Sequence, residues 1–165
     1  WFSTPSNNGV GSTNDSKVYA TSGNTITKYD ENGATLNSMT FPVATIEYTN
    51  VDVGNGEIYA SYTGSQNGVT VRDADTLSQL NYINLNFVIN GLAAGENDDM
   101  FLTSGNSIFR YSDTGSLINS FSFPDAGIAY GDIAYATEVP EPASLGLLAL
   151  GLLGMASARR RPTSC

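Results

Sequence analysis

Carboxylates are the side chains of this sequence best suited to chemistry, because 16 acidic residues stand against seven basic ones. They lie next to or near one another at three places: Asp30-Glu31, Asp73 and Asp75, and Asp98-Asp99. Two carboxylates about 5–10 Å apart in a cleft can hydrolyse a glycosidic bond, and acidic turns can bind Ca²⁺. Asp30, Asp73 and Asp113 each stand where a repeated unit turns between strands. This position favours solvated turn residues and leaves weak calcium binding open.

Other catalytic sets are missing from these 165 residues. There is no histidine, and the single cysteine is the last residue, Cys165. A Ser-His-Asp triad, a Cys-His pair and a His-containing metal site are therefore excluded within this sequence. It also lacks a Walker loop, a Rossmann glycine fingerprint, an EF-hand loop and a CxxC pair. We expect a protein that is not an enzyme, with no catalytic residue, no metal site and no cofactor.

Tyrosines suggest a second kind of chemistry, because aromatic faces can stack on sugar rings. The candidates for such exposed rings are Tyr48, Tyr62, Tyr82 and Tyr130. The alternative interpretation places these tyrosines between repeated units, where they would fill the interface. The two interpretations predict opposite degrees of burial.

Charge is distributed unevenly along the chain. Up to Glu141 the sequence carries 16 acidic and four basic side chains, a net charge of −12, and the three remaining arginines bring the total to −9. An acidic body of this kind repels phosphate backbones, so we expect no nucleic-acid partner. This net negative charge is compatible with an exported domain.

The C-terminal segment has three consecutive parts. Val139-Pro140-Glu141-Pro142 is followed by an uncharged apolar run, residues 143–158, and then by Arg159-Arg160-Arg161. As a helix this run would be about 24 Å long, and snorkelling arginines can bring it closer to the ~30 Å of a bilayer core. The prolines keep the preceding backbone extended and can begin a helix. The pattern predicts a transmembrane helix with its arginines in the cytoplasm and the body outside.

Two other interpretations of this segment are open. A buried core helix would also be apolar, but this run is apolar on every face and is bracketed by prolines and arginines. A permanent tail anchor would have the same composition as a transient one.

Together, the three parts resemble the PEP-CTERM sorting signal of Gram-negative bacteria, from Val139 to about Arg161. The resemblance implies a protein that leaves the cell by the general secretory route and is held briefly in the inner membrane, with its body in the periplasm. An integral-membrane processing enzyme, exosortase, then cuts at or near the motif. The mature protein reaches the outer surface or the extracellular matrix, with a role linked to exopolysaccharide.

The resemblance also assigns roles to residues. The sorting and processing motif is Val139, Pro140, Glu141 and Pro142, and the positive stop is Arg159, Arg160 and Arg161. The membrane anchor comprises the apolar residues Ala143, Leu145, Leu147, Leu148, Leu150, Leu152, Leu153, Met155 and Ala158.

The rest of the chain is a repeat. Residues 16–42 and 98–124 align without a gap at an offset of 82, and 11 of the 27 positions are identical. Since 82 is twice 41, a middle copy is expected near residue 57, where residues 57–61 resemble residues 17–21. A fourth copy starts near Gly127. In the third copy we predict strands at 90–94, 99–103, 107–111 and 116–122, with Gly and Asn of the turns Ser104-Gly-Asn106 and Asp113-Thr-Gly115 at positive φ.

Four strands in about 41 residues are typical of a β-propeller blade. We therefore predict an all-β repeat domain over residues 1–137, with β-propeller-like blades at 9–48, 49–88 and 89–125 and the start of a fourth at 126–137. An extended linker follows at 138–142, then a C-terminal transmembrane helix at 143–158 and a basic tail at 159–165.

Two alternative folds remain open, a β-sandwich and a β-solenoid. Three blades and a fraction make an incomplete ring, because propellers close with about four to eight. We expect upstream blades and a secretory signal beyond Trp1, or else an open three-blade arc with exposed edges.

Overall fold

The computed structural model describes residues 9–13, 15–42, 45–124 and 133–135. All of them belong to one compact unit, Trp1–Tyr135, and a second unit, Ala136–Cys165, lies outside the described residues. Over the described ranges the regular elements are all β-strands, so the all-β prediction is confirmed. None of the described residues forms a helix of the length and apolarity that a bilayer crossing requires. The predicted helix at 143–158 is not among them.

The described strands form three four-stranded antiparallel sheets, in which strands adjacent in sequence are paired. Sheet 1 contains β1 (Gly9–Ser12), β2 (Val18–Ser22), β3 (Thr25–Tyr29) and β4 (Thr35–Thr40). Sheet 2 contains β5 (Ile46–Gly54), β6 (Glu57–Gly64), β7 (Asn67–Asp73) and β8 (Gln79–Leu85). Sheet 3 contains β9 (Gly91–Ala94), β10 (Asp99–Ser104), β11 (Ser107–Ser112) and β12 (Leu117–Ser122). The four strands predicted for the third copy agree with these bounds within one residue.

The repeat is visible in the strand register. Tyr19 lies opposite Lys28, and 82 residues later Phe101 lies opposite Arg110. In each sheet the register between the third and fourth strand shifts at the same place, after Lys28, Val71 and Arg110. The three sheets are therefore copies of one unit in backbone detail as well as in sequence.

Tight turns join the second and third strands of sheets 1 and 3. Gly23 and Gly105 adopt φ of 55° and 54°, which glycine reaches without a steric cost. The prediction that Asn106 also has positive φ is wrong. Its side chain instead donates a hydrogen bond to the carbonyl of Phe123 at 2.7 Å, so it fastens the turn to the end of the sheet. Gly115, in the other predicted turn, does have a positive φ, of 87°.

Two hydrophobic cores lie between the sheets. Tyr19 and Ile26 of sheet 1 pack with Ile58 of sheet 2, and Tyr59 of sheet 2 packs with Met100 of sheet 3. Successive side chains of a strand point to opposite faces. The neighbours Ile58 and Tyr59 therefore serve different cores, and both faces of sheet 2 are buried.

The first strands of the sheets also meet, with β1 against β5 and β5 against β9. A buried hydroxyl ties sheet 1 to sheet 2, because Tyr19 donates a hydrogen bond to the Ala74 carbonyl at 2.7 Å. Lys28 donates to the same carbonyl at 3.0 Å and to the Asp75 carboxylate at 3.1 Å. Sheets 1 and 2 are thus held together by polar contacts at one end of a shared apolar core.

Candidate functional site

An open groove of about 420 Å³ lies between sheets 1 and 2. Its walls come from the β4–β5 connection, the β6–β7 turn and strand β8, and they are lined by Phe41, Pro42, Ile46, Ser65, Gln66, Gln79 and Tyr82. A volume of this size is within the range of small-molecule sites. The lining combines aromatic and aliphatic side chains with amide and hydroxyl groups.

Three rings form the aromatic wall of this groove and its backing. Tyr82 lies nearly parallel to Tyr62, with ring centres 5.1 Å apart, and to Phe41, at 5.7 Å. Tyr82 is half-buried, and its hydroxyl donates a hydrogen bond to Gln66 Oε1 at 3.1 Å. Behind it, Tyr62 is only 1% exposed, and burial together with its interaction with Tyr82 raises the pKa of its phenol. The groove therefore presents one supported aromatic ring beside hydrogen-bonding amides.

The structure decides between the two interpretations for three of the four tyrosines. Tyr48 and Tyr62 are fully buried in the core between sheets 1 and 2, as the alternative interpretation predicted. Tyr82 is partly exposed in the groove, and Tyr130 lies outside the described residues. Sequence reasoning did not find Phe41, Gln66 and Gln79, which come from both sheets and share no spacing pattern.

The acidic turn residues have structural roles. Asp30 accepts hydrogen bonds from the backbone N–H of Asn32 at 2.9 Å and of Ala34 at 2.7 Å. Asp73 accepts from the hydroxyl and the backbone N–H of Thr76, both at 2.7 Å, and these bonds lower the pKa of its carboxyl.

In sheet 3 the same place in the turn belongs to Ser112. Its hydroxyl accepts a hydrogen bond from the backbone N–H of Ser116 at 3.1 Å. The side chain that closes this turn is therefore one residue earlier than the predicted Asp113, and the turn interpretation holds for all three sheets.

Other carboxylates gather around Glu57. Burial, opposed by a 2.8 Å hydrogen bond from the Tyr59 hydroxyl, raises the pKa of Glu57, and the negative charges of Asp113 and Asp98 add to this. Asp98 accepts a hydrogen bond from the Asn55 amide at 2.5 Å. In the part of the chain that the structure describes, no three side chains of the His, Cys, Asp and Glu types are arranged to hold a metal ion.

The residues assigned to sorting lie outside the described part of the chain. These are the motif Val139, Pro140, Glu141 and Pro142, the apolar residues of the anchor between Ala143 and Ala158, and Arg159, Arg160 and Arg161. Their roles therefore depend on comparison with known proteins.

A protein-family model described as the PEP-CTERM protein-sorting motif matches residues 138–161. This range contains the proline-flanked glutamate, the apolar run and the arginines in their expected order. The chain carries a PEP-CTERM sorting signal. The resemblance seen in the sequence is thereby confirmed. The signal implies an exported protein that passes through the membrane and is processed by exosortase-type machinery.

Solved structures resemble the body of this chain in fold alone. The computationally designed Ika4 protein superposes with a TM-score of 0.62 at 14% identity, over 82% of this chain and 83% of Ika4. BamB from Moraxella catarrhalis superposes with a TM-score of 0.56 at 12% identity, over 73% of this chain and 40% of BamB. A protein of unknown function from Bacteroides caccae superposes with a TM-score of 0.55 at 12% identity, over 70% of this chain and 45% of that protein.

The chain thus spans less than half the length of these two natural proteins. No curated protein matches this chain in sequence.

Proposed function

We propose that this chain, which carries a PEP-CTERM sorting signal, is a non-enzymatic surface or matrix protein that exosortase processes and that acts in contact with exopolysaccharide. The match of the sorting motif to residues 138–161 carries this proposal. The absence of histidine from the sequence and the turn-bound state of Asp30 and Asp73 support a role without catalysis.

Each part of the tail has a physical task in this proposal. Pro140 and Pro142 keep the backbone extended, which a membrane protease needs at its cleavage site. The apolar residues 143–158 hold the exported chain in the bilayer. The arginines stay in the cytoplasm and stop further transfer. The body, residues 1–137, is then released or retained outside by cleavage in the linker at 138–142.

The proposal includes a fold for this body, in which the three sheets are consecutive blades of a β-propeller. In support, each sheet is a four-stranded meander, the repeat is about 41 residues long, and the first strands β1, β5 and β9 pack in succession. A β-sandwich would bury one face of each sheet, whereas sheet 2 buries both.

Comparison of host strains with and without exosortase tests the sorting part. In the intact strain we expect a mature product that lacks Arg159–Cys165 and leaves the inner membrane, and in the deficient strain a full-length, membrane-bound chain. Fractionation and mass spectrometry of the C-terminal peptide measure both. Identical size and location in the two strains would refute processing, and Arg159–Cys165 retained in the intact strain would indicate a permanent anchor instead.

A carbohydrate-binding role is a second candidate, and the groove beside Tyr82 favours it. A sugar ring can lie on the exposed part of the Tyr82 ring while Gln66 and Gln79 bond its hydroxyls. The lining residues include no Asp or Glu, so the groove is suited to binding rather than to acid–base hydrolysis.

Replacing Tyr82 with Ala should weaken binding of an exopolysaccharide fragment about two- to tenfold, because an aromatic stacking contact contributes about 0.5–1.5 kcal/mol. Tyr82→Phe should retain most of the affinity, since it keeps the ring and loses only the bond to Gln66. Leu80→Ala, an exposed change on the same strand outside the groove, serves as the control. Calorimetry against a glycan panel would measure the effect. Binding that Tyr82→Ala leaves intact would remove the groove from consideration.

A further inference from the structure

Both amide side chains that line the groove beside Tyr82 have their oxygen occupied by a donor of the protein itself. Gln66 Oε1 accepts from the Tyr82 hydroxyl at 3.1 Å, and Gln79 Oε1 accepts from Arg72 Nη2 at 3.4 Å. A guanidinium group has donors only, so the second bond fixes which end of the Gln79 amide faces the protein. Over the described residues, the N–H groups of Gln66 and Gln79 have no acceptor. Both amides therefore offer donors to a ligand.

The same arrangement continues in a second groove, of about 410 Å³, which shares Gln66 with the first. Asn67 and Asn84 line this second groove. Asn67 Oδ1 accepts a hydrogen bond from the Thr63 hydroxyl at 2.8 Å, and Asn84 Oδ1 accepts one from the Tyr62 hydroxyl at 3.0 Å. Each groove has the size of a small-molecule site. Together they present a row of amide N–H donors to a ligand longer than one sugar ring.

A buried positive charge stands behind the Gln79 amide. Arg72 is 4% exposed and donates a second hydrogen bond, to the Leu77 carbonyl at 2.9 Å. A charged donor polarises the amide that accepts from it, so the N–H groups of Gln79 become stronger donors. Among the described residues that line the two grooves, none is charged. A neutral acceptor such as an amide carbonyl suits these donors better than a carboxylate, which would lose hydration without gaining a cationic partner.

The remaining wall of the first groove suits a methyl group beside such a carbonyl. Pro42 is exposed, whereas Phe41 and Ile46 are 7% and 2% exposed, so the apolar area within reach is small. Ser65 also lines this groove, and its hydroxyl shares a 3.1 Å hydrogen bond with the Thr45 hydroxyl. A hydroxyl keeps acceptor capacity beside one such bond. A carbonyl oxygen, a methyl group and an N–H donor occur together in the acetamido group.

We propose that the two grooves bind an oligosaccharide of acetamido sugars. The acetamido carbonyl accepts from the amides of Gln66 and Gln79, its N–H donates to Ser65, and the sugar ring lies on Tyr82. The next sugar unit occupies the second groove, beside Asn84. This inference rests on the proposed carbohydrate-binding role and is independent of sorting and processing.

Calorimetry of the full chain, in a detergent without a sugar headgroup, tests the ligand class. The probes are di-N-acetylchitobiose and cellobiose, which share one β-1,4-linked backbone and differ in the acetamido group. We expect di-N-acetylchitobiose to bind at least about tenfold more tightly, because it adds hydrogen bonds and a buried methyl group. Cellobiuronic acid, which carries a carboxylate, represents an anionic ligand and should bind no better than cellobiose.

Two substitutions test the amide donors. Gln66→Glu and Gln79→Glu each replace an NH₂ group with an oxygen of similar size and keep the oxygen that bonds to Tyr82 or Arg72. Each should weaken binding of di-N-acetylchitobiose about tenfold and reduce its advantage over cellobiose, since a donor becomes an acceptor. Asn119→Asp is the matched control, because it makes the same change at an exposed residue of sheet 3 that lines neither groove. It should leave binding unchanged.

The outcomes separate this inference from the carbohydrate-binding role. Equal affinities for di-N-acetylchitobiose and cellobiose, both weakened by Tyr82→Ala, would overturn the acetamido inference and uphold a sugar site. Tighter binding of cellobiuronic acid would overturn it in favour of an anionic sugar. An acetamido preference that both glutamine substitutions leave unchanged would also overturn it, because the sugar would then bind elsewhere. No binding of these disaccharides or of any glycan in the panel would overturn both.

Discussion

Deletion of residues 138–161 is expected to abolish both membrane retention and exosortase processing of this chain. The effect should be complete rather than partial, because the deletion removes the recognition motif, the apolar run and the arginines together. The deletion removes the apolar run, residues 143–158, that would hold the exported body in lipid. Cell fractionation followed by mass spectrometry of each fraction would show an unprocessed body in the soluble periplasm.

The tail provides its own control for this deletion. Residues 162–165 follow the arginines and lie outside the matched range, so their removal should leave location and processing unchanged. If the 138–161 deletion gives the same distribution as this control, the segment does not direct sorting.

Replacement of Gly68 with Ala is expected to destabilise the body by about 3–5 kcal/mol, the upper end for a single substitution. Gly68 is buried in β7, and a Cβ added there would lie 2.0 Å from the Ile83 carbonyl oxygen and 2.3 Å from the Tyr62 hydroxyl. The carbonyl belongs to the paired strand β8 and cannot move without breaking the ladder. Tyr62 also donates a hydrogen bond to that carbonyl, so the clash disrupts the core beside the groove.

Urea denaturation of the processed protein would measure this loss, with Gly23→Ala as the comparison. A Cβ at Gly23 meets nothing within 4 Å, but the residue has φ of +55°. Its substitution should therefore cost only the backbone strain of a left-handed residue, about 1–2 kcal/mol. Equal losses at the two sites would show that the packing around Gly68 is not as tight as the structure indicates.

The sequence was sufficient to predict the strands because the repeat is local. Gly23 and Gly105 mark equivalent turns, and Tyr19 and Phe101 mark equivalent strands. Alignment of the two copies therefore indicates where the strands and turns of each one lie. The middle copy gave a weaker signal. Its β7–β8 turn places Leu77, at φ 62°, where the other sheets use glycine.

Burial was harder to predict. A strand with one solvent-exposed face alternates between polar and apolar residues, whereas a strand that is buried on both faces does not. Residues 57–64 of β6 are of this second kind, with five consecutive buried positions. Ser61, the polar residue before Tyr62, is itself buried, so polarity does not mark the solvent side of this strand. The groove could not be predicted from the sequence for another reason. Phe41 and Tyr82 belong to different sheets, and only their packing brings them together.

The succession of sheet contacts, from the first to the second and from the second to the third, has an evolutionary consequence. Because each sheet makes the same kind of contact with the next one, a sheet encoded by a duplicated gene segment could pack against an existing sheet in the same way. Bodies of different length can then arise by adding or losing whole units, with little change to those already in place. An exported protein built in this way can diversify rapidly in size while it keeps the same sorting signal.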